Sequence, residues 1–201
     1  MKKSVIFGST TLAAAAALGL YTWQASTSPH PCGTTSVAGS AIGGPFELVS
    51  ETGETVTDQD VITKPTLIYF GYTFCPDFCP IDNLRNAQAA DILAEEGKDL
   101  GTIFITIDPQ RDTVEVVRDY TDNFHDDMIG LTGSPEQVKA ASQAYKTYYR
   151  AQDTDDEFYL VDHSTQTYLV FPDTGFATFF RRDAPPQQVA EVSACYIDQL
   201  T

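Results

Sequence analysis

Apolar runs and amphipathic stretches alternate along most of this chain, and the first run stands apart from the rest. Val5 to Trp23 is almost uncharged, rich in Ala and Leu, and preceded by Lys2 and Lys3. As a helix rising about 1.5 Å per residue it is long enough to cross a bilayer core. The leading positive charges predict a cytoplasmic N-terminus and an exported remainder, and Tyr21 and Trp23 suit the far membrane interface. A cleaved signal peptide shares this pattern. Because no clean A-x-A site follows in Gln24–Ser28, we read an uncleaved anchor. A lipoprotein site is disfavoured, since His30-Pro31 and not small apolar residues precede Cys32. Residues 1–24 are thus expected to form a cytoplasmic tip and transmembrane anchor. Residues 25–40, rich in Ser, Thr, Pro and Gly, are expected to form a flexible linker, and residues 41–201 one domain.

Within that domain the pattern predicts strands over Thr66–Tyr72, Thr102–Ile107, Met128–Leu131, Tyr159–Val161 and Thr167–Phe171. A further strand, Ala177–Arg181, pairs back after the turn Pro172-Asp173-Thr174-Gly175. Helices are predicted over Ile81–Glu96, Val114–Phe124, Glu136–Tyr149 and Gln187–Leu200. Asp112 or Thr113 can cap the second. Ser134-Pro135-Glu136-Gln137 provides a cap, a first-turn proline and a capping-box Gln for the third. Alternating strands and helices argue for an α/β sandwich with a mixed sheet flanked by helices, and the late hairpin for antiparallel strands at one side. No internal repeat is evident.

Charge narrows the function. With 28 acidic residues against 12 Lys and Arg, the formal net charge is −16. Nothing supplies a basic patch for phosphates, so nucleic acid is excluded as a partner. The acidic surface fits a soluble exported domain, and most of these charges are simply solvated.

The chemistry concentrates at Gly71-Tyr72-Thr73-Phe74-Cys75-Pro76-Asp77-Phe78-Cys79-Pro80, directly after an apolar run. If the chain turns into a helix near Cys75, the two cysteines lie one turn apart on one face. Strand, turn, cysteine and helix follow the thioredoxin arrangement, with C-x3-C in place of the redox C-x2-C. A helix N-terminus stabilises a thiolate, which serves nucleophilic attack and metal binding alike. The remaining cysteines are Cys32 in the linker and Cys195 in the last helix. They pair with each other if the linker folds back; otherwise Cys195 is a small core residue and Cys32 an exposed thiol.

A metal site needs more ligands. His30 lies in the linker and His125 beside Asp126-Asp127, whereas His163 follows a strand, where an α/β domain builds its sites. Two thiolates and an imidazole favour copper, thiolates suiting Cu(I) and imidazole helping to hold Cu(II), although zinc accepts the same set. On spacing alone His163 is more often an ordinary satisfied histidine than a ligand.

Several segments together resemble the Sco/SenC family. They are Gly43-Gly44-Pro45-Phe46, the stretch from Tyr69 to Pro80, Asp108-Pro109-Gln110-Arg111-Asp112-Thr113, and Asp162-His163-Ser164 followed by Tyr168-Leu169, with Tyr145, Tyr148 and Tyr149. The resemblance runs from about Gly43 to the C-terminus. It implies a thioredoxin-like fold and a membrane-anchored copper protein that assists assembly of the Cu(A) centre of cytochrome c oxidase. Cys75, Cys79 and His163 would bind copper. Asp162 would orient the imidazole or cap the chain locally, and Asp77 would tune the cysteines or cap the helix. Phe74 stands where many relatives carry His. The implied partners are the copper-receiving oxidase subunit, an upstream copper donor or thiol reductant, and the inner membrane, with the domain in the periplasm.

Other readings use the same residues. A thiol–disulfide oxidoreductase would employ Cys75 and Cys79 as its redox pair, with little need of His163. A peroxidase reading is weaker, because nothing here requires peroxide. A purely structural Cys75–Cys79 bridge closes too short a loop to stabilise much. The acidic run Asp153-Thr154-Asp155-Asp156-Glu157 is expected to be a mobile loop that lets His163 approach and leave. Arg111 either pairs with Asp112 or simply precedes a helix.

Overall fold

Thr66-Leu67-Ile68-Tyr69-Phe70-Gly71, the run that leads into the cysteines, is a strand buried along its whole length, as expected of the centre of a sheet covered on both faces. It belongs to a computed structural model that describes Cys32, residues 41–152 and residues 158–200. The predicted anchor, the rest of the linker and the 153–157 run lie outside the described residues. Among the described residues no helix is long and apolar enough to cross a membrane.

The elements, in chain order, are β1 (Glu47–Ser50), β2 (Thr55–Thr57), α1 (Asp58–Val61), β3 (Thr66–Gly71), α2 (Phe78–Glu95), β4 (Gly101–Thr106), α3 (Val114–Thr121) and β5 (Met128–Thr132). They continue with α4 (Pro135–Ala144), β6 (Tyr149–Ala151), β7 (Val161–His163), β8 (Thr167–Phe171), β9 (Gly175–Phe180) and α5 (Pro186–Leu200). Seven strands form one mixed sheet in the order β2-β1-β5-β4-β3-β8-β9, while β6 and β7 form a separate two-stranded ribbon. The β3–β4 and β4–β5 pairs are parallel. The β1–β2, β1–β5, β3–β8 and β8–β9 pairs are antiparallel. Helices flank the sheet in a thioredoxin-like α/β sandwich.

The predicted caps form. Thr113 takes the N-cap of α3 and accepts a hydrogen bond from the Val116 N–H, and Ser134 with Gln137 closes a full capping box on α4. The core is unusually aromatic. Tyr145, nearly fully buried, meets Phe70 at 5.4 Å and Tyr168 at 5.5 Å between ring centroids, contacts that add to the burial of these large side chains.

Helix α2 departs from the amphipathic pattern. It buries Asp82, Asn83, Arg85 and Asn86 along with its alanines, because it is wedged against both α5 and the sheet. Most of these polar groups find partners, Asn83 donating to the Tyr120 hydroxyl at 3.2 Å while one Asp82 oxygen has no hydrogen bond. Arg85 pairs with Asp82 at 3.0 Å and donates to the Thr167 hydroxyl at 2.6 Å and to the Arg181 carbonyl at 3.3 Å. A buried charge tolerates such a position only when paired in this way. Cys32 and Cys195 are each disulfide-bonded, so Cys195 is not a free core thiol and Cys32 is not an exposed one.

Candidate metal centre

Three chain segments converge at the carboxyl end of β3. The strand ends at Gly71, where a Cβ would stand 2.9 Å from the Cys79 sulfur and 2.8 Å from the Tyr69 ring; only glycine lets the helix start come so close. The chain then turns through Thr73, which is anchored by Asp112. That carboxylate accepts from the Thr73 N–H at 3.0 Å and hydroxyl at 2.6 Å, and from the Thr106 hydroxyl at 2.5 Å. Cys75 therefore sits in a fixed loop, and α2 begins three residues later than it.

That start places Cys79 in the first turn and Cys75 ahead of it. The Cys79 N–H, one of the donors with no partner inside the helix, donates to the Cys75 sulfur at 3.4 Å. Hydrogen bonding from the Cys79 side chain, with further bonds from His163 and the Cys79 and Asp77 backbone, outweighs burial and pulls the Cys75 thiol down to about 3. Burial, followed by the neighbouring Cys75, pushes the Cys79 thiol up. The pair is thus asymmetric, with Cys75 a thiolate and Cys79 a buried thiol.

His163 closes the set from β7. Its Nδ1 lies 2.7 Å from the Ser164 carbonyl oxygen; a carbonyl only accepts, so Nδ1 carries a proton and Nε2 is the ring atom turned toward the sulfurs. Nε2 is 3.4 Å from the Cys79 sulfur. Tyr72 and Tyr69 hold the imidazole by edge contacts at 5.8 and 6.3 Å between centroids. The two sulfurs and an imidazole nitrogen lie within 4.8 Å of one another, the only such ligand cluster among the described residues. Three atoms bound in a plane at about 2.0–2.3 Å to one ion lie about 3.5–4.0 Å apart, so the widest pair has to close by up to about 1 Å to hold it. It opens into a cavity of about 360 Å³ lined by Tyr72, Cys75, Asp77, Leu160 and His163. A first-row metal with a taste for sulfur fits this donor set.

The other expected residues are placed differently. Asp162 is exposed beside His163 at the rim of the same cavity, its carboxylate accepting from Gln152 at 3.4 Å. The partner of Nδ1 is the Ser164 carbonyl instead. Asp77 occupies the N-cap of α2, exposed and without a side-chain capping bond. His125 pairs with Asp91 at 3.2 Å, and His30 lies outside the described residues. Arg111 pairs with Asp108, three residues back, and not with Asp112, whose carboxylate is taken by the two threonines. Motif reading quoted Gly71, Tyr72 and Ser164 without giving them roles. The glycine next to a predicted buried strand end was the one signal of close backbone approach.

A thioredoxin-like domain that gathers two cysteines and a histidine at the carboxyl end of an interior strand defines the class as a metal-handling member of that fold. The chain belongs to the SCO1/SenC family, whose model matches residues 34–198. It is 55% identical over 166 residues to Protein SenC of Rhodobacter capsulatus, covering 83% of this chain and 75% of that protein. It is 39% identical over 159 residues to the mitochondrial Protein SCO1 homolog of Homo sapiens, covering 78% of this chain and 53% of the relative. Among solved structures it is similar to Arabidopsis thaliana ScoI with copper bound, with a TM-score of 0.76 and 41% identity over 79% of this chain and 99% of that one. Yeast Sco1 with copper bound gives a TM-score of 0.75 and 31% identity, over 81% and 91% of the respective chains.

Proposed function

We propose that this protein is a copper chaperone that carries copper on Cys75, Cys79 and His163. It passes the metal by ligand exchange to the subunit of cytochrome c oxidase that houses the Cu(A) centre. The observation that carries this reading is the cluster itself: two sulfurs and an imidazole nitrogen within 4.8 Å, at the mouth of an open cavity. Three ligands suit a carrier, because an open coordination position lets an incoming ligand begin the exchange before the outgoing ones leave. The copper-bound structures of Arabidopsis ScoI and yeast Sco1 support the choice of metal. The N-terminal apolar run, in a chain similar to a bacterial SenC, supports an inner-membrane anchor with the domain in the periplasm. An upstream copper donor and a thiol reductant complete the expected partners, since only reduced cysteines ligate.

Thiol–disulfide exchange is the second reading, favoured by one observation. A low-lying Cys75 thiolate beside a buried Cys79 thiol is the asymmetry of an attacking and a resolving cysteine. The two readings part at His163. Titration of the reduced full chain with Cu(I) and Cu(II) should give one copper per chain at this site, and His163→Ala should weaken Cu(II) sharply. No copper uptake, or equal affinity in the variant, would refute the chaperone reading and leave the cysteines as a redox couple.

A further inference from the structure

The motif Asp108-Pro109-Gln110-Arg111-Asp112-Thr113 supplies no ligand, yet two of its side chains reach the arm that carries His163. Arg111 forms an ion pair with Asp108 across one turn. Its guanidinium carbon stands 3.7 Å from the Tyr159 ring centroid, 5.1 Å from that of Phe74 and 5.8 Å from that of Tyr72. The Tyr159 hydroxyl donates to the second oxygen of the Asp108 carboxylate at 2.7 Å. Phe74 in turn meets Phe158 at 5.7 Å between centroids. One cation therefore touches both the loop that leads to Cys75 and the segment that leads to His163.

The ribbon needs such a tie. Strand β7 pairs only with β6, and among the described residues neither joins the seven-stranded sheet. The remaining backbone bonds of the ribbon, from Ser164 to Tyr148 and from Gln152 to Leu160, are internal to it. A two-stranded ribbon is marginal on its own, so its seat over the cysteines is set by side chains. Val161 supplies apolar packing. Directional contacts come from two sides: Tyr72 bonds the Val161 backbone and, with Tyr69, edges the imidazole, while Tyr159 and Phe158 ahead of the strand meet Arg111, Asp108 and Phe74.

We propose that Arg111 is a positioning residue for the metal site, locking the β6–β7 ribbon to the Cys75 loop so that His163 stays within reach of both sulfurs. Asp108 orients the guanidinium and holds Tyr159 at the same time. Lysine is a poor substitute, because a planar fork stacks on a ring while pairing with a carboxylate and an ammonium does not. The metal half of this inference rests on the copper reading above; the hold on the ribbon does not.

The test compares the full chain with Arg111→Met, Arg111→Lys and Tyr159→Phe, each also in the His163→Ala background. In the metal-free protein, amide exchange over Tyr159–His163 should quicken about tenfold in Arg111→Met, the scale of a well-packed cation–π contact, while β3 and β4 amides keep their protection. Tyr159→Phe, which keeps the ring and loses only the hydroxyl bond, should give a smaller change. Cu(II) affinity should fall about tenfold in Arg111→Met and not at all once His163 is already alanine, because the effect acts through that imidazole. Unchanged exchange across the ribbon overturns the inference, as does an equal loss of affinity with and without His163. If the wild type takes no copper, the proposed function falls with the metal half, and the exchange rates still decide whether Arg111 holds the ribbon. Global loss of protection in Arg111→Met would move the decision to Arg111→Lys and Tyr159→Phe, judged by the same criteria.

Discussion

Cys75 and Cys79 are chemically unlike although four positions apart, and the difference comes from where the helix begins. Cys75 lies just outside α2 and collects the Cys79 N–H, while Cys79 is sealed beneath it. The Cys75 thiol, pulled down to about 3, is ionised at neutral pH; the stability this contributes is full above the unfolded value of about 8.5 and is lost progressively as the pH falls from there toward about 3. An ordinary thiol loses about tenfold in alkylation rate per pH unit below about 8.5. We expect Cys75 in the reduced, metal-free protein to be alkylated at a nearly constant rate from about pH 5 to 8, and Cys79 to lag throughout. Mass-spectrometric rates that fall tenfold per unit at Cys75 would contradict the assignment. Gly71 is the second decisive residue. A methyl at Gly71→Ala meets the Tyr69 ring at 2.8 Å and the Cys79 sulfur at 2.9 Å, so α2 must shift. Overpacking of this kind costs about 1–3 kcal/mol, and chemical denaturation should show it. The same shift should weaken copper binding, because it moves one ligand relative to the other two.

At the scale of elements, legibility followed periodicity and capping chemistry. Helix α4 was readable because Ser134, Pro135 and Gln137 mark its start, and β3 because an unbroken apolar run of its length has few other uses. Its end was not readable. The predicted helix runs on to Tyr149, yet α4 stops at Ala144 and Tyr149 opens β6. The stop is a Schellman motif, with Thr147 N–H bonding the Ser142 carbonyl at 3.0 Å and Lys146 N–H the Gln143 carbonyl at 3.2 Å. The left-handed position, usually glycine, is filled here by Lys146 at φ 55°, so the sequence carries no stop signal. The short strands β1, β2 and β6 were missed for a related reason, being three or four residues long with no room for a period to show. At the site, the spacing of Cys75 and Cys79 was local and legible, while the approach of His163 depended on an isolated ribbon whose hold lies partly in Arg111, Asp108 and Tyr159. Lys146→Gly should relieve the backbone strain and stabilise the domain by about 0.5–1 kcal/mol, after the entropy lost to glycine. The change should appear as a higher urea midpoint with an unchanged slope. A lower midpoint would mean that the lysine side chain contributes more than its backbone costs.

At the scale of the molecule, the site joins parts of the chain that are distant in sequence. Cys79 and His163 are 84 residues apart, one on a helix clamped to the sheet and the other on a ribbon outside it. A metal bound to both supplies a link that the backbone ladders do not, and it binds the folded chain only, since the unfolded chain does not gather the three ligands. Copper should therefore act as a stabilising ligand. At a free concentration about a hundred times the dissociation constant the gain is about 2.7 kcal/mol. For a chain of this size that corresponds to a rise of about 5–10 °C in Tm. The rise should be much smaller in His163→Ala with Cu(II), and a chelator that strips the metal should restore the metal-free value. Hydrogen exchange adds a spatial prediction to the thermal one. If the gain comes from bridging the ribbon to α2, new protection should concentrate in β6, β7 and the first turn of α2, with the central strands little changed. Protection spread evenly over the sheet, or a Tm indifferent to His163, would mean that copper stabilises the fold without drawing the ribbon onto the cysteines.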